Sequence, residues 1–442
     1  MKKVAFHNLG CKVNAYETEV MLQELKERGY EIVPFREGAD VYVINTCTVT
    51  NVADRKSRQM LHRAKKMNPE ALVVAVGCYV QADPKAVEED VAVDLLVGND
   101  QKSQLADLIE AHLSGAEQKP LLDLKRPKDY EKMSLHESSE HTRAFMKIQD
   151  GCNQFCSYCL IPFVRGRVRS RASEEVLQEA RELAAHGFHE IVLTGIHLSS
   201  YGLDLKEEVV TEEEPYGTAL RRLIQELAKI PEIHRIRLGS LEPRIITRTF
   251  AEALRDCGKV CPHFHLSLQS GSDTVLRRMN RRYTTEEYEE KCLLLRDVFD
   301  KPAITTDVIV GFPGESEEEF RETEAYLEKI RFYEMHVFKY SRRKGTVADR
   351  MKDQIPENVK GERSRVLLDM TRRHSEEFRR SYIGQTADVL LEEQLEEDGV
   401  KYFVGYTPEY IQVKVSAEGH RAGEIIPVLL SESCMISCTE EA

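Results

Sequence analysis

Short apolar runs alternate with helical stretches through most of the chain, and this alternation limits the possible fold more than any other feature. In the first part, runs at 3–6, 41–45 and 72–76 are separated by polar helical stretches that include 16–28 and 53–66. Such alternation is typical of parallel strands joined by crossover helices. It predicts an α/β N-terminal domain over residues 1–114, built on a parallel, Rossmann-like sheet.

A second alternating region follows a charged segment. Residues 115–142 have few sustained apolar runs, which predicts a linker or an irregular crossover. Six strands are then expected at 144–148, 190–194, 236–240, 264–268, 303–310 and 335–340. Ser173 is predicted to cap a helix that ends at Gly187, and Ser316 to cap one that runs through Ile330. Six βα units predict a partial (β/α)6 barrel over residues 143–370.

The pattern changes again near the C-terminus. A charged helix at about 358–380 is followed by short predicted strands at 385–392, 402–406, 411–415 and 424–430, with a turn at Asp398-Gly399. Short strands at this spacing predict a small OB-like β-barrel over residues 377–440. Barrels of this kind frequently bind RNA.

Composition indicates the compartment. No run of about 18 apolar residues occurs, so we expect no membrane-spanning helix and no membrane partner. The first residues become polar too early for a signal peptide. Eleven cysteines, an odd number, then argue against a disulfide framework and favour a reducing cytoplasm where thiolates can bind metal.

Three cysteines follow the predicted N-terminal strands. Cys11, Cys47 and Cys78 each come just after one of the runs at 3–6, 41–45 and 72–76. Because parallel strands end at one edge of a sheet, these thiols should converge where open α/β sheets bind ligands. They can be a second three-cysteine cluster site or three buried structural cysteines.

A tighter cysteine motif follows the first barrel strand. Cys152, Cys156 and Cys159 have the spacing C-x3-C-x2-C, which can hold three irons of a 4Fe–4S cluster and leave the fourth iron open. A zinc site would need a fourth nearby Cys or His, and none follows within a short reach. The remaining cysteines lack a triplet pattern and are interpreted as ordinary thiols: Cys257, Cys261, Cys292, Cys434 and Cys438.

Basic residues are clustered although the net charge is −13. The clusters lie at 55–66, at 165–171 and at 277–282. Local patches determine phosphate affinity more directly than net charge does. Each cluster alone can equally be a solvated helix face, but three of them beside the cysteine segments favour RNA.

Taken together, these strings resemble the radical SAM methylthiotransferase family over essentially the whole chain. The resemblance is carried by Leu9-Gly10-Cys11-Lys12-Val13-Asn14, by Asn45-Thr46-Cys47, by Gly77-Cys78, and by Cys152 to Cys159 with the following 161–171 string. The last 60 residues or so resemble the family's TRAM domain. Gly-Cys-Lys-Val-Asn is similar to the branch that acts on N6-threonylcarbamoyladenosine in tRNA. The isopentenyladenosine branch has a Gly-Cys-Gln-Met-Asn type string and the ribosomal-protein branch has Gly-Cys-Pro-Lys-Asn.

The resemblance implies two cofactor sites. Cys11, Cys47 and Cys78 would hold an auxiliary 4Fe–4S cluster, and Cys152, Cys156 and Cys159 the cluster that binds S-adenosylmethionine. The implied contacts to S-adenosylmethionine are Tyr158, Thr194, Gly195, Ser240, Glu242, Gln269, Val310, Gly311 and Phe312. Contacts to tRNA, either to its phosphates or to the modified base, are expected from Arg165, Arg167, Arg169 and Arg171. The threonyl carboxylate of that base would favour a bidentate arginine. No catalytic acid or base is assigned. His197 is either a substrate-facing residue or a hydrogen-bonded loop histidine.

The implied activity is transfer of a methylthio group to C2 of N6-threonylcarbamoyladenosine at position 37 of tRNA. One S-adenosylmethionine would methylate a sulfur at the auxiliary cluster, and a second would yield the 5′-deoxyadenosyl radical. A low-potential electron donor and a sulfur source would also be needed. The alternatives are isopentenyladenosine in tRNA, a ribosomal-protein aspartate, or a non-enzymatic iron–sulfur RNA-binding redox sensor, which needs no open iron.

Overall fold

The computed structural model describes residues 2–116, 121, 124, 128–136, 142–205 and 216–436. Cys438 and part of the predicted linker lie outside these residues. Among the helices in this part of the chain, none combines the length and the apolar character needed to cross a membrane.

The N-terminal domain contains a five-stranded parallel sheet in the order β2-β1-β3-β4-β5. Its elements are β1 (Lys3–Asn8), α1 (Lys12–Glu27), β2 (Glu31–Val33), β3 (Val41–Thr46), α2 (Asn51–Met67), β4 (Leu72–Gly77), α3 (Cys78–Ala82), α4 (Pro84–Glu88), β5 (Leu95–Val97) and α5 (Leu105–Leu113). This confirms the predicted parallel sheet. The sequence pattern missed β2 and β5 because three-residue strands are too short to show a period.

The register of the sheet brings the three strand-end cysteine loops to one edge. Asn8 of β1 pairs with Asn45 of β3, and Thr46 pairs with Gly77 of β4. The segments that carry Cys11, Cys47 and Cys78 therefore leave the sheet side by side at its carboxyl edge. The convergence follows from strand direction alone.

The central domain is a partial barrel of six parallel strands, as predicted. Its elements are β6 (Arg143–Asp150), α6 (Ile161–Val164), β7 (Arg169–Ser170), α7 (Ser173–Ala185), β8 (Glu190–Gly195), α8 (Thr218–Leu227), β9 (Arg235–Leu238), α9 (Arg248–Asp256), β10 (His263–His265), α10 (Asp273–Arg278), α11 (Thr285–Val298), β11 (Ala303–Val310), α12 (Glu317–Ile330), β12 (Glu334–Lys339) and α13 (Glu357–Arg380). Two sheets, β7-β6-β8-β9 and β10-β11-β12, are joined by parallel bridges from Ile236 to Val260 and from Leu241 to Leu266. Only the two-residue β7 runs antiparallel, against β6.

Alternation along the barrel strands separates an apolar outer face from a polar inner face. Phe264, Ile304 and Val308 pack in one core with helix residues such as Leu295 and Leu327. The alternate positions on the same strands are polar, and they include His265, Asp307 and His336. Since neighbouring strand residues point to opposite faces, the barrel interior is polar and can receive a polar ligand.

One of the two predicted helix caps is wrong. Ser316 caps α12 and forms a capping box with Glu319, as expected. Ser173, however, is the first residue of α7, and Ala172 occupies the cap position without a side-chain hydrogen bond. The first turn instead carries Glu174 and Glu175, whose charges stabilise the amino end of the helix dipole.

The C-terminal domain is a small antiparallel sheet in the order β15-β14-β13-β16. Its strands are β13 (Thr386–Glu397), β14 (Val400–Tyr406), β15 (Gln412–Ser416) and β16 (Ile425–Leu429). After β16 the chain returns to the free edge of β15, where Ile436 N donates to Gln412 O. The segment after β16 thus bridges to the opposite edge of an antiparallel sheet, which lies where the small barrel is predicted. Helix α13 runs through 371–376, between the two predicted domains.

Arginines at the beginning of the barrel strands hold the C-terminal domain in place. Arg235 Nη2 donates to Asp388 O at 2.7 Å, and Arg237 Nη1 donates to Pro408 O at 2.9 Å. Tyr410 stacks on His263 with 5.1 Å between ring centroids. These contacts close the amino end of the barrel, so access to its interior lies at the opposite end.

Candidate active site at the facing ends of two sheets

The first cysteine group lies at the carboxyl edge of the N-terminal sheet. Cys47 and Cys78 are buried, whereas Cys11 is exposed. Burial and the neighbouring Cys78 and Cys11 thiols raise the pKa of Cys47 to about 11, although a backbone hydrogen bond from Val49 opposes this. Buried thiols become thiolates when a metal supplies positive charge. The donor set therefore suits a metal centre.

Glycines shape the space around this group. Gly10 has φ +108°, and a Cβ there would lie 3.2 Å from Cys47 Sγ and 3.1 Å from Asn14 Nδ2. At Gly77, with φ +97°, a Cβ would lie 2.7 Å from Asn45 Oδ1. The absence of a side chain lets the backbone at Gly10 come close to the Cys47 sulfur and lets the backbone at Gly77 come close to Asn45.

The second cysteine group lies on the loop after β6. Gly151 has φ +69°, and a Cβ there would lie 1.9 Å from Arg167 O. Cys152 N donates to Gly166 O at 3.1 Å. From the other side, Asn280 Nδ2 donates to Phe155 O at 3.0 Å. The loop is thus held between two other segments.

Burial opposes anionic sulfur in this loop, and one arginine contact favours it. Burial and the other thiols of the motif raise the pKa of Cys152 to about 11 and that of Cys159 to about 12. Arg281 Nη1 donates to Cys156 Sγ at 3.3 Å. Three convergent thiols with a cationic donor suit a cluster with one open iron.

A single zinc ion does not fit either cysteine group. Tetrahedral zinc with Zn–S bonds of about 2.3 Å holds its sulfurs roughly 3.8 Å apart. Within the described part of the chain, the only three metal-ligating side chains with ligand atoms within 4.8 Å of one another are His265, Asp307 and His336. Neither cysteine group therefore has all three sulfur atoms within 4.8 Å of one another.

The predicted S-adenosylmethionine contacts lie around the ends of the barrel strands. Thr194 and Gly195 end β8, and Val310 ends β11 before Gly311 and Phe312. The other predicted contacts lie within the cysteine motif or follow a strand: Tyr158, Ser240, Glu242 and Gln269. The Tyr158 ring meets Phe312 edge-on, with 6.4 Å between centroids. Gln269 bridges into the sheet, since Ile309 N donates to its carbonyl oxygen at 2.9 Å. Ser240 is exposed.

Glu242 connects the cysteine loop to this wall. It accepts hydrogen bonds from Gln154 Nε2 at 3.0 Å and from Arg244 Nε at 2.6 Å. Its carboxylate also lies 3.2 Å from His197 Nε2. Although burial raises the pKa of Glu242, the contacts to His197 and Arg244 lower it to about 2. His197 makes the hydrogen bonds expected of a loop histidine, with Ser200 Oγ at 2.6 Å from its Nδ1.

Three of the four arginines predicted to contact tRNA are buried, and for them that prediction is wrong. Arg165 is fully buried, and Arg169 and Arg171 are each 4 % exposed. Their guanidinium groups pair with Glu17, Asp100 and Glu179, respectively. Such groups cannot reach RNA phosphates without leaving buried carboxylates unpaired. Arg167 is the exposed member and lies over the Phe155 ring at 4.5 Å.

Arg165 and Asn99 join the two cysteine regions. Arg165 Nη2 donates to Asn14 Oδ1 at 2.6 Å, three residues after Cys11. Asn99 Nδ2 donates to Val164 O at 2.7 Å and approaches Cys78 Sγ at 3.6 Å. The segment that follows Cys159 therefore contacts both the start of α1 and the Cys78 loop.

A second contact joins the N-terminal domain to the last barrel strand. Arg343 follows β12 and donates from Nη2 to Thr48 Oγ1 at 2.7 Å, while its Nη1 lies 2.7 Å from Asp54 Oδ2. Asn51 N donates to Ser341 Oγ at 3.0 Å. The carboxyl edges of the two sheets thus face each other, with the cysteine loops on either side.

Comparison with known proteins agrees with this two-part architecture. Residues 146–327 match the family described as the Radical SAM superfamily, and residues 3–98 match the one described as Uncharacterized protein family UPF0004. The chain is 42 % identical over 433 residues to the threonylcarbamoyladenosine tRNA methylthiotransferase MtaB of Bacillus subtilis, covering 97 % of this chain and 93 % of that protein. The chain belongs to the radical SAM methylthiotransferase family.

Other methylthiotransferases and one solved structure extend the comparison. The tRNA-2-methylthio-N(6)-dimethylallyladenosine synthase of Acetivibrio thermocellus is 35 % identical, over 97 % of this chain and 88 % of that protein. The radical S-adenosylmethionine methyltransferase TsrM of Kitasatospora setae, solved with cobalamin and a [4Fe-4S] cluster, has a TM-score of 0.57 at 16 % identity. That match covers 78 % of this chain and 76 % of TsrM. It supports the fold of this methylthiotransferase.

The sequence reasoning missed several residues of the methylthiotransferase site. Arg281 was grouped with surface bases, yet it donates to Cys156. Asn14 and Glu17 are almost completely buried on α1. A weak signal for them existed, because these polar residues are interspersed with Val13, Tyr16 and Val20, so α1 has no single polar face.

Proposed function

We propose that the chain transfers a methylthio group to C2 of N6-threonylcarbamoyladenosine at position 37 of tRNA. It would then be a transferase of alkylthio groups that acts on cytoplasmic tRNA. The observation that carries the proposal is the facing arrangement of two three-cysteine groups, which are joined through Arg165, Asn14 and Asn99. The 42 % identity to a relative named for this nucleoside supports the choice of substrate.

The cofactors of the proposal are two 4Fe–4S clusters and S-adenosylmethionine. Cys152, Cys156 and Cys159 would hold one cluster. The other would be held by Cys11, Cys47 and Cys78. When bound, these groups supply the radical and the sulfur chemistry that an unreactive aromatic C–H requires. An external low-potential electron donor and a sulfur source complete the proposed reaction.

The protein's own residues would hold and enclose these reactants. Glu242 is kept ionised by Arg244 and His197 and fixes Gln154 of the cysteine loop. Buried Phe312 is in ring contact with Tyr158, and the two side chains would form an apolar wall that excludes water from the radical source. In the proposed reaction, this enclosure protects a reactive intermediate from side reactions.

The proposed tRNA surface differs from the one that the sequence predicts. Helix α2 begins four residues after Cys47 and presents exposed basic residues: Arg55, Lys56, Arg58, Arg63 and Lys66. With exposed Arg167, Arg277 and Arg282, they are the proposed contacts to tRNA phosphates. The β13–β14 hairpin is instead exposed and acidic at Glu393, Glu396 and Glu397. Phosphates would be repelled there, so tRNA should contact other faces of the C-terminal domain.

The experiment is a reconstitution under anaerobic conditions. The chain would receive S-adenosylmethionine, a strong reductant, sulfide and tRNA that carries N6-threonylcarbamoyladenosine, and the digested nucleosides would be weighed. A methylthio gain on that nucleoside supports the proposal. The Cys156→Ala variant is the matched control, and it should give neither product nor 5′-deoxyadenosine.

A second arm separates the alternatives. If 5′-deoxyadenosine forms but the nucleoside is unchanged, tRNA with isopentenyladenosine and the ribosomal protein are tested next. The dimethylallyladenosine synthases among the relatives make the first of these the main competitor. RNA binding without any 5′-deoxyadenosine would instead favour a non-enzymatic sensor.

A further inference from the structure

The exposed ring of Phe163 lies beside the second cysteine group. Phe163 follows Cys159 by four residues and belongs to the single turn α6. It is 49 % exposed, whereas Pro162 and Val164 on either side of it are buried. Asn99 Nδ2 donates to the Val164 carbonyl at 2.7 Å. The backbone of the turn is therefore fixed, while about half of the Phe163 side chain remains open to solvent.

A second ring and an arginine complete a small surface around Phe163. Phe155, within the cysteine motif itself, meets Phe163 edge-on, with 5.8 Å between ring centroids and 82° between ring planes. The central carbon of the Arg167 guanidinium lies 4.5 Å from the centroid of the Phe155 ring. Edge-on ring pairs and cation–π contacts of this kind stabilise the side chains in one arrangement. Phe155, Phe163 and Arg167 are called the aromatic platform below.

The backbone at Phe155 is held in a conformation that bulky residues rarely adopt. Its φ is +51°, in the left-handed region. Asn280 Nδ2 donates to Phe155 O at 3.0 Å and supports this conformation. Such strain persists only where the surroundings enforce it, and it is concentrated at functional sites. The same hydrogen bond brings the basic segment 277–282 next to the platform.

The charges beside the platform favour an anionic partner. Arg167, Arg277 and Arg282 are exposed, and none of them pairs with a carboxylate among the residues that the structure describes. The neighbouring Arg278, by contrast, already pairs with Glu319 at 2.6 Å. Unpaired guanidinium groups beside an exposed ring offer phosphate contacts and a stacking face together. Proteins that bind single-stranded nucleic acid use this combination.

The size of the platform favours a nucleobase over a protein. Within residues 142–202, all of which the structure describes, Phe163 is the single large apolar side chain that is exposed. Stable protein partners each bury about 800 Å² and need a larger apolar centre. One base, however, needs only one aromatic face, and its phosphates can reach the arginines on either side.

We propose that the aromatic platform stacks an unpaired base of the anticodon loop, next to the target adenosine. This inference rests on the proposed function and adds a contact that orients the loop beside the second cysteine group. An enzyme that acts on a base takes it out of its stack, which leaves the neighbouring base without a stacking partner. Phe163 would replace that partner, and Arg167 would contact a flanking phosphate.

The test compares three anticodon stem-loops that carry N6-threonylcarbamoyladenosine. One is intact, and the other two have an abasic nucleotide on the 5′ side or on the 3′ side of the target. Binding to the anaerobic holoenzyme is measured by fluorescence anisotropy. We expect one of the abasic loops to bind the wild type about 5- to 100-fold more weakly, the range for base–aromatic stacking. Phe163→Ala should weaken binding of the intact loop by a similar factor, and the same abasic change should then have no further effect.

Three other variants separate stacking from indirect effects. Phe163→Tyr keeps a ring and should retain both the affinity and the abasic penalty. Arg167→Met removes a proposed phosphate contact and should weaken binding of the intact and abasic loops alike. Leu293→Ala shortens another exposed apolar side chain, on the outer helix α11, and should bind like the wild type. Iron content near eight atoms per chain in each variant would show that both clusters are still held.

Each outcome supports or rejects the platform. An abasic penalty that is absent in the wild type, or that is unchanged in Phe163→Ala, overturns the inference. Full affinity of Phe163→Ala for the loop, with slower reduction of its iron by an acidic electron carrier such as flavodoxin, also overturns it, since the surface would then bind the electron donor. A penalty that depends on Phe163 without methylthio product would reject the proposed function but keep the platform. Product formation without such a penalty would do the reverse.

Discussion

Replacing Glu17 by glutamine tests how strongly the N-terminal domain is fixed to the barrel. The Glu17 carboxylate is fully buried on α1 and pairs with Lys102, with Lys147 at 2.6 Å and with Arg165 at 2.8 Å. Burial raises its pKa, but these three cations lower it well below the usual value. In the Glu17→Gln variant, Asp150 is the remaining carboxylate near Lys147 and Arg165.

The expected cost is large because a buried charge pair is broken rather than replaced. Removing one partner of such a pair costs about 3–5 kcal/mol. For 442 residues, an unfolding entropy near 2.1 cal/mol/K per residue converts this to a Tm decrease of about 3–5 °C. Helix α1 shares one hydrophobic core with the barrel, so we expect both domains to unfold in one transition.

The assay is anaerobic calorimetry of the reconstituted protein, with two comparisons. Glu226→Gln breaks an exposed pair with Lys229 and should change the Tm by less than about 1 °C, since surface pairs contribute about 0–1 kcal/mol. Adding Lys102→Met to Glu17→Gln removes one uncompensated cation and should recover about 1–2 kcal/mol relative to the sum of the single changes. A Glu17→Gln variant as stable as the surface control, or one without coupling to Lys102, would refute the reasoning.

Three further outcomes are expected. Cys11→Ala should abolish methylthio insertion while 5′-deoxyadenosine is still formed; retained product, detected by nucleoside mass spectrometry, would remove Cys11 from the auxiliary site. Gly151→Ala should lose about half of the iron and the formation of 5′-deoxyadenosine, because its Cβ would lie 1.9 Å from Arg167 O. The control is Gly187→Ala, where φ is +91° and a Cβ would have no atom within 4 Å. This control should keep the iron and the 5′-deoxyadenosine, and it should lower the free energy of unfolding by about 1 kcal/mol. Burial raises the pKa of Glu24 to about 7. The stability that depends on the protonated Glu24 carboxyl is therefore fully present below about pH 4.3 and is lost as the pH rises through 7. Glu24→Gln should therefore be more stable than the wild type by about 1–2 kcal/mol at pH 8, after allowance for partial solvent contact. At pH 5.5 the difference should be about half as large. Urea titrations that give an equal difference at pH 8 and pH 5.5 would contradict this.

Local patterns were enough to predict both parallel sheets. The runs at 41–45 and 72–76 are continuous and apolar because β3 and β4 are buried on both faces. Strand direction then fixed the edge at which Cys47 and Cys78 emerge. The six barrel strands were recognisable for the same reason, and the cysteine spacing indicated the chemistry of the loop after β6.

The arginine prediction failed because the decisive partners are remote in sequence. An Arg-x-Arg-x-Arg string resembles a surface patch when only its neighbours are considered. The carboxylates that bury Arg165 and Arg169 come from Glu17 and Asp100, 148 and 69 residues away. No local pattern records such pairings.

The long range of the Glu17 contacts has a consequence for synthesis on the ribosome. Glu17 precedes its partner Lys147 by 130 residues and Arg165 by 148 residues. At about 5–20 residues per second, roughly 7–30 s pass before the last of these cations has been made. During that interval the N-terminal sheet can form, but α1 cannot bury its carboxylate. A nascent chain halted before residue 165 should therefore expose α1 to proteases, and docking of that helix would be a late, post-barrel event.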